Sequence, residues 1–303
     1  RRSSDLVMSE EKYPKISLVT ACYNHADFIA ETIESILSQN YPNLEYIVID
    51  DGSTDGSWDI IQKYKNKLTV CERMEGYRDT PTIALNYGLK KGTGEIMGWL
   101  NSDDILLPGS LFRIAKIFAG NERVEWLTGM ESTINSTSEL VKSNLRLKNK
   151  YDFLIGDWKI IQQESTFWRR SLWEKTGATL SKGWPFDTEL WTRFFMETDH
   201  YHVDVPLGAF RKGKQSKSVS DEKCFLGPSE IHLSKMRKKI GTKYKFYSGL
   251  YFVCKKLLRP VFAMIPSSWY KFIPILNIYS YKLLTYSFDR DRWCEKEINP
   301  FKY

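Results

Sequence analysis

An α/β protein with a mostly parallel sheet flanked by helices is the fold class this chain predicts, on three observations. Strand and helix patterns alternate from residue 16 to residue 129, as βαβ units require. The strand patterns are short apolar runs, the mark of strands buried on both faces. Two of those runs end directly in acidic turns, Asp50-Asp51-Gly52 and Ser102-Asp103-Asp104. Open α/β sheets bind their ligands at that carboxyl edge.

In order, Ile16 to Thr20 is the first buried strand. A helix runs from about Asp27 to Ser38, with Phe28, Ile29, Ile33, Ile36 and Leu37 on one stripe. Asn40-Tyr41-Pro42-Asn43 breaks it. Glu45 to Asp50 is the second strand, and Ser53 or Thr54 caps a helix reaching Tyr64. Leu68 to Cys71 is a third strand. Thr82 to Lys91 is a helix closed by Gly92, and Ile96 to Leu100 is the fourth strand. Pro108 opens a helix ending near Gly120, and Val124 to Leu127 adds a strand. Residues 130–160 are rich in Ser, Asn and Lys and read as a loop-rich insertion over an acceptor site. A helix returns over Phe186 to Glu197. From Asp221 the tail reads as three helical pieces, with breaks near Gly241 and at Pro260 and Pro266.

The 303 residues suffice for one large domain, or a domain with an extension. Apolar content of 42% and charged content of 27% describe a globular chain. No run of about 18 apolar residues occurs, so no transmembrane helix is expected. Arg1 to Glu10 is polar and without an apolar centre, so no signal peptide is expected there. The five widely spaced cysteines form neither a disulfide framework nor a CxxC site. Reduced thiols and a cytoplasmic location follow as expectations. The formal charge of +7 is unevenly distributed. Residues 221–303 hold 16 Lys and Arg against 7 Asp and Glu, and the rest of the chain is slightly acidic. That asymmetry points to an anionic partner or membrane surface.

The acidic turns are the first candidates for chemistry. Two adjacent carboxylates at a strand end repel each other and lose hydration. A hard divalent cation, Mg²⁺ or Mn²⁺, bridging them to a phosphate accounts for Asp103 and Asp104. The plainer alternative is a cap for the following helix. Asp51, beside the turn glycine Gly52, can accept from a base or ribose, or simply belong to an N-capped turn. Asp187 opens the Phe186 helix. There it can take a proton from a hydroxyl, or merely complement the helix dipole. The four histidines, His25, His200, His202 and His232, lack zinc spacing. The chain has no GxSxG elbow, no P-loop and no GxGxxG.

Several segments, taken jointly and in order, resemble glycosyltransferase family 2, nucleotide-sugar-dependent inverting enzymes with the GT-A fold. They are Ser17–Asn24, Ser35–Pro42, Val48–Gly56, Gly94–Asp104, Gln163–Arg169, Asp187–Arg193 and Leu207–Arg211. The resemblance covers about residues 14–218. It implies a catalytic domain over 14–220; outside it, residues 1–13 read as a tail and 221–303 as a basic, aromatic helical extension. Within the domain, 14–104 would be the nucleotide-binding half and 105–220 the acceptor half. Thr20, Ala21, Tyr23 and Asn24 would line the nucleotide pocket, Asp51 would meet the base, Asp103 the ribose side and Asp104 the metal. Asp187 would be the base that deprotonates the acceptor hydroxyl. Gln163, Glu164, Arg211, Lys212 and Lys214 are candidates for diphosphate or acceptor contacts.

Two departures stand out. Relatives often carry a His after the Phe-Arg pair, where this chain has Lys212-Gly213-Lys214-Gln215-Ser216. Without it, metal binding weakens, or Lys212 or Lys214 grips phosphate instead. The stretch Glu72 to Pro81 is also longer than in many relatives, leaving a donor role for Arg78 or Asp79 open. The expected reaction moves a sugar from a nucleotide-sugar, a UDP-sugar by preference, to a glycan or lipid-linked oligosaccharide. The alternative is a non-catalytic glycan- or nucleotide-binding module on the same fold. The tail mixes Trp269, Tyr270, Phe272 and Ile273 with Lys271, as interfacial segments do. Residues 257–303 are therefore expected either to meet an anionic membrane at its cytoplasmic face or to pack on the catalytic domain. No nucleic-acid motif accompanies the basic tail.

Overall fold

The sheet grows from β1 (Ile16–Cys22), which pairs in parallel with β2 (Leu44–Asp50) on one side and β4 (Ile96–Trp99) on the other. The computed structural model describes residues 13–76, 82–156, 161–182, 185–213 and 231–301, less 232, 235, 239, 258 and 265–277. Arg78, Asp79, Lys214 and the Trp269–Ile273 cluster lie outside the described residues. β3 (Val70–Arg73) extends the sheet beyond β2. On the other side come β8 (Thr166–Arg169), β6 (Trp126–Ile134) and β9 (Tyr201–Pro206), then the hairpin β11 (Tyr281–Ser287) and β12 (Arg292–Ile298). Along this path every pair is parallel except those made by β8 and the closing hairpin. β5 (Ile105–Leu106), β7 (Leu140–Asn144) and β10 (Gly208–Arg211) pair off the main path. Helices α1 (Ile29–Leu37), α2 (Ser57–Gln62), α3 (Thr82–Lys91) and α4 (Ser110–Gly120) link the parallel strands.

Apolar residues fill both faces because helices cover both. Leu18, Tyr46 and Val48 pack into one core with α1 and α4. Their neighbours Val19, Ile47 and Ile49 pack into the other with α3. A strand between two cores has no polar face, so its sequence reads as an unbroken apolar run. The second core continues into Trp99, Trp126, Trp168 and Trp191, all 0 or 1% exposed.

Three expectations change. The described part of residues 130–160, up to 156, is not mainly loop: β6 runs to Ile134, turns, and returns as β7, and α5 (Lys150–Leu154) follows. The α2 helix is capped neither by Ser53 nor by Thr54. Its N-cap is Gly56, and the Asp55 carboxylate accepts the Ser57 N–H at 3.0 Å. The tail is only partly helical. α8 (Thr242–Lys256) and α9 (Arg259–Met264) are helices, but the chain then adds the β11–β12 hairpin to the sheet edge beside β9. Local periodicity misled here because alternating Tyr, Leu and Thr in Tyr281–Ser287 take their strand form from the β9 edge they meet.

A buried ion pair ties the tail down. The Asp152 side chain is fully buried, pairs with the Lys255 ammonium and accepts the Tyr251 hydroxyl at 2.9 Å. Asp152 also closes a capping box with Asn149 at the start of α5. One carboxylate therefore serves α5 and α8 together.

His200 and His202 are buried side by side at the start of β9, their rings 4.2 Å apart. His200 stacks on Trp126 at 3.9 Å and shares a hydrogen bond with Thr128 Oγ1. His202 Nε2 accepts the Lys148 N–H at 2.8 Å. Burial pushes both imidazoles down, His202 to about 4. A histidine held neutral stabilises the fold above its unfolded pKa, near 6.5, and loses that contribution as pH falls toward its folded value. For His202 this loss is about 2 kcal/mol between pH 7 and pH 5. The raised carboxyls described below act in the opposite sense, so the test is a difference. Urea unfolding at the two pH values is expected to show a drop about 2 kcal/mol smaller in His202→Gln than in the parent. Equal drops would remove His202 from the acid response.

Candidate active site

The carboxyl ends of the parallel strands β1, β2 and β4 lie at the same edge of the sheet. Two loops at that edge are stitched to each other. Asn24 sits at φ 54°, donates its N–H to Ser53 Oγ at 3.0 Å and accepts the Thr54 N–H at 2.8 Å. Asp51 donates its N–H to the Cys22 carbonyl at 2.7 Å, and its side chain lies in the buried floor of the turn. Gly52 adopts φ 76°, and a Cβ there would lie 2.9 Å from the Gly76 Cα. Only glycine allows that approach with that backbone. Asp50, next to the expected ligand, is structural: it pairs with Arg73 at 3.2 Å and accepts the Ser53 N–H. Thr20 is also structural. It is fully buried and shares a hydrogen bond with the Tyr46 hydroxyl. Ala21 and Tyr23 are half-buried at the rim.

The second acidic turn differs from the expectation in one respect. Asp104 is fully buried, and both its oxygens are engaged. Oδ1 accepts the Arg211 backbone N–H at 2.7 Å and Oδ2 accepts the Asn101 amide at 3.0 Å. Asp103 is the open member of the pair, its side chain 23% exposed, with its Oδ1 3.9 Å from His25 Nδ1. His25 Nδ1 itself meets Ser102 Oγ at 2.7 Å. Sequence reasoning weighed His25 only as a zinc ligand. Its place directly after Asn24, in the loop expected to line the pocket, was the available signal.

Arg211 is a clamp, closed to solvent. Its guanidinium donates to the Asp103 carbonyl, the Asn135 carbonyl, Ser138 Oγ and the Glu31 carboxylate, and lies over the Phe28 ring at 4.9 Å. In this arrangement it has no face left for a ligand. Lys212 is exposed, its N–H bonded to the Ile134 carbonyl. Gln163 binds the Trp99 carbonyl and leaves its Oε1 buried and unpartnered.

Glu164 sits in a 3-10 turn (Gln163–Ser165) against β10. That packing is tight: a Cβ on Gly208 would lie 2.0 Å from the Glu164 carbonyl oxygen. The Glu164 carboxyl is hydrogen-bonded to Asp104. Burial pushes it up to about 7, with the charges of Asp103 and Asp187 adding to the effect. Burial, then the Glu164 and Asp103 charges, holds Asp104 well above the carboxylate range. Both carboxyls of the pair are thus held above the ordinary carboxylate range by burial. Asp187 sits in the first turn of α7 (Phe186–Glu197), half-buried, its carboxyl raised by burial and its Oδ1 accepting the Thr188 N–H at 2.7 Å. Asp103, Asp104, Glu164 and Asp187 thus form one electrostatic neighbourhood, although they come from segments far apart in the chain.

The site suits a hard cation held largely by its ligand. No cluster of three metal-ligating side chains is preassembled among the described residues. Mg²⁺ and Mn²⁺ bound to nucleotides need only one or two carboxylates, because phosphate oxygens and water complete the shell. Asp103 supplies such a carboxylate, and the surrounding negative charge favours a cation.

A family model described as glycosyl transferase family 2 matches residues 17–201. The chain belongs to glycosyltransferase family 2. Among curated relatives of this family-2 chain, WfaP of Escherichia coli is 43% identical over 89 residues. That protein is a UDP-Glc:alpha-D-GlcNAc-diphosphoundecaprenol beta-1,3-glucosyltransferase, and the match covers 29% of this chain and 35% of its own. The chain spans about a third of the length of the first relatives it matches. Among solved structures, S. aureus TarS in complex with UDP-GlcNAc matches with TM-score 0.62 at 16% identity, over 88% of this chain and 80% of its own. The mannosyltransferase PcManGT of Pyrobaculum calidifontis, solved with GDP-Man and Mn²⁺, matches with TM-score 0.56 at 20% identity, over 77% of this chain and 66% of its own. The shared architecture is GT-A.

Proposed function

We propose that this chain transfers a sugar from a UDP-sugar to a hydroxyl of a glycan or lipid-linked oligosaccharide, by a single displacement that inverts the anomeric carbon. The observation that carries the reading is the convergence of Asp187 with the Asp103–Asp104–Glu164 group beside the β1 and β2 loops. It provides a base at one end of a crevice and a carboxylate suited to a nucleotide's metal at the other.

Asp51, with the Tyr23–Asn24 loop, receives the nucleoside. Asp103, the more exposed carboxylate of the pair, would be the metal contact, with the buried Asp104 as the alternative. Held by that carboxylate, a Mg²⁺ or Mn²⁺ ion would supply positive charge for the departing diphosphate. Asp187 takes the proton of the acceptor hydroxyl as it attacks C1. Burial raises its basicity without needing a neighbouring histidine. Asp104 and Glu164, hydrogen-bonded to each other, hold β10 and the Asp103 turn in register.

The test is calorimetry of UDP with and without Mn²⁺, beside transfer and hydrolysis assays with labelled UDP-sugars. UDP binding that tightens with Mn²⁺, together with turnover, is the expected result. Nucleotide binding without turnover of any donor would favour the non-catalytic module instead. Asp103→Asn is expected to remove most of the Mn²⁺-dependent gain, about tenfold or more in UDP affinity. An unchanged Mn²⁺ response in Asp103→Asn would return the metal to Asp104.

A further inference from the structure

We propose that α8 and α9 form a docking face for an anionic lipid bilayer. α8 packs through Tyr251 and Cys254, which are buried, and Tyr251 and Lys255 lock it to Asp152. Turning the helix through 100° per residue places Phe246, Val253 and Leu257 within one narrow exposed stripe along the edge of the buried face, beside Leu250, which packs on the core. They are 67, 39 and 68% exposed. Phe252, Lys245 and Lys256 flank that stripe and are exposed as well. On α9, Val261 and Met264 are also exposed, 57 and 85%, while Phe262 turns inward and stacks on Phe301.

Charge identifies the occupant. From Thr242 to Met264 the sequence carries Lys243, Lys245, Lys255, Lys256 and Arg259, and no acidic residue. Lys255 is held by Asp152, but an exposed apolar stripe beside the exposed Lys245 and Lys256 suits an interface in which aliphatic and aromatic groups enter the acyl boundary and ammonium groups meet phosphates. A crossing helix does not explain it, since no helix among the described residues is long and apolar enough to span a membrane. The structure also moves the expected contact. Part of the 257–303 stretch, the β11–β12 hairpin, is built into the sheet, and the exposed apolar face begins earlier, at Phe246. Because α8 is fixed to α5 through Asp152, docking would hold the transfer site at a set height above the bilayer. The inference does not depend on the proposed reaction.

The experiment is co-sedimentation of the full chain with phosphatidylcholine vesicles, with and without phosphatidylglycerol. The chain is expected to pellet with the anionic vesicles at low salt and to be partly released at high salt. Each near-surface cation contributes about a fivefold factor, so Lys245→Gln/Lys256→Gln is expected to lower partitioning by about 25-fold at low salt. Phe246→Ser/Leu257→Ser is expected to remove the salt-resistant part while leaving the melting temperature and UDP binding as in the parent. Failure of the full chain to bind anionic vesicles at low salt would overturn the proposal. So would binding that neither pair of substitutions weakens. A concentration-dependent dimer abolished by Phe246→Ser/Leu257→Ser, with no vesicle binding, would assign the face to a second copy of the chain and overturn it equally.

Discussion

Asp187→Asn is expected to lower transfer by about 10²- to 10⁴-fold while leaving UDP-sugar affinity within about twofold of the parent. Asparagine keeps the size of the side chain and an oxygen for the Thr188 N–H, so the first turn of α7 is preserved. What it loses is the ability to take a proton, which matters only as the acceptor hydroxyl attacks. An interaction made only in the transition state lowers kcat and kcat/KM together and spares donor binding. Single-turnover kinetics with calorimetry on the same variant separate the two. An equally large loss of donor affinity would make Asp187 a donor contact rather than a base. The same residue sets a pH expectation. Burial raises its carboxyl above the usual Asp value of 3.8. A base works only when ionised, so kcat/KM is expected to fall as pH drops through that raised value, and the acid limb lies above 3.8. An acid limb left unmoved in Asp187→Glu, with activity retained, would assign the limb to another group.

Asp152→Ala is expected to cost about 3–5 kcal/mol of stability, because it leaves the Lys255 ammonium without its partner in a mostly buried site. The substitution also removes the capping box of α5 and the acceptor for the Tyr251 hydroxyl. Thermal unfolding is expected to begin roughly 10 °C lower. The double variant Asp152→Asn/Lys255→Met is expected to recover most of the loss, since neither side then carries a buried charge. If Asp152→Ala melts with the parent, the tail is not anchored by this pair. Near-native far-UV circular dichroism with lost vesicle binding would show that the anchor orients α8 without being needed for the catalytic domain.

The parallel strands could be read from sequence because burial on both faces imposes an apolar run at every position, and that pattern is local. The same holds for α1, α3 and α7, whose stripes follow from helical spacing alone. The acidic turns after β2 and β4, and Asp187 at the head of a helix, were also visible, because strand ends and helix starts carry their own residue chemistry. The sequence did not say which carboxylate of Asp103-Asp104 faces the crevice. That depends on the Arg211 N–H, which reaches Asp104 from 107 residues away and turns it inward. Arg211 looked free for phosphate for a similar reason: its partners Glu31, Asn135 and Ser138 are distant in the chain. The tail hairpin was missed because an edge strand takes its form from the strand it joins. Local period thus determined the layers and the residue types at the site, and the motif segments taken jointly pointed to the family. Tertiary contacts alone decided the roles within the acidic group, since desolvation and hydrogen bonding depend on which distant donors each carboxylate meets.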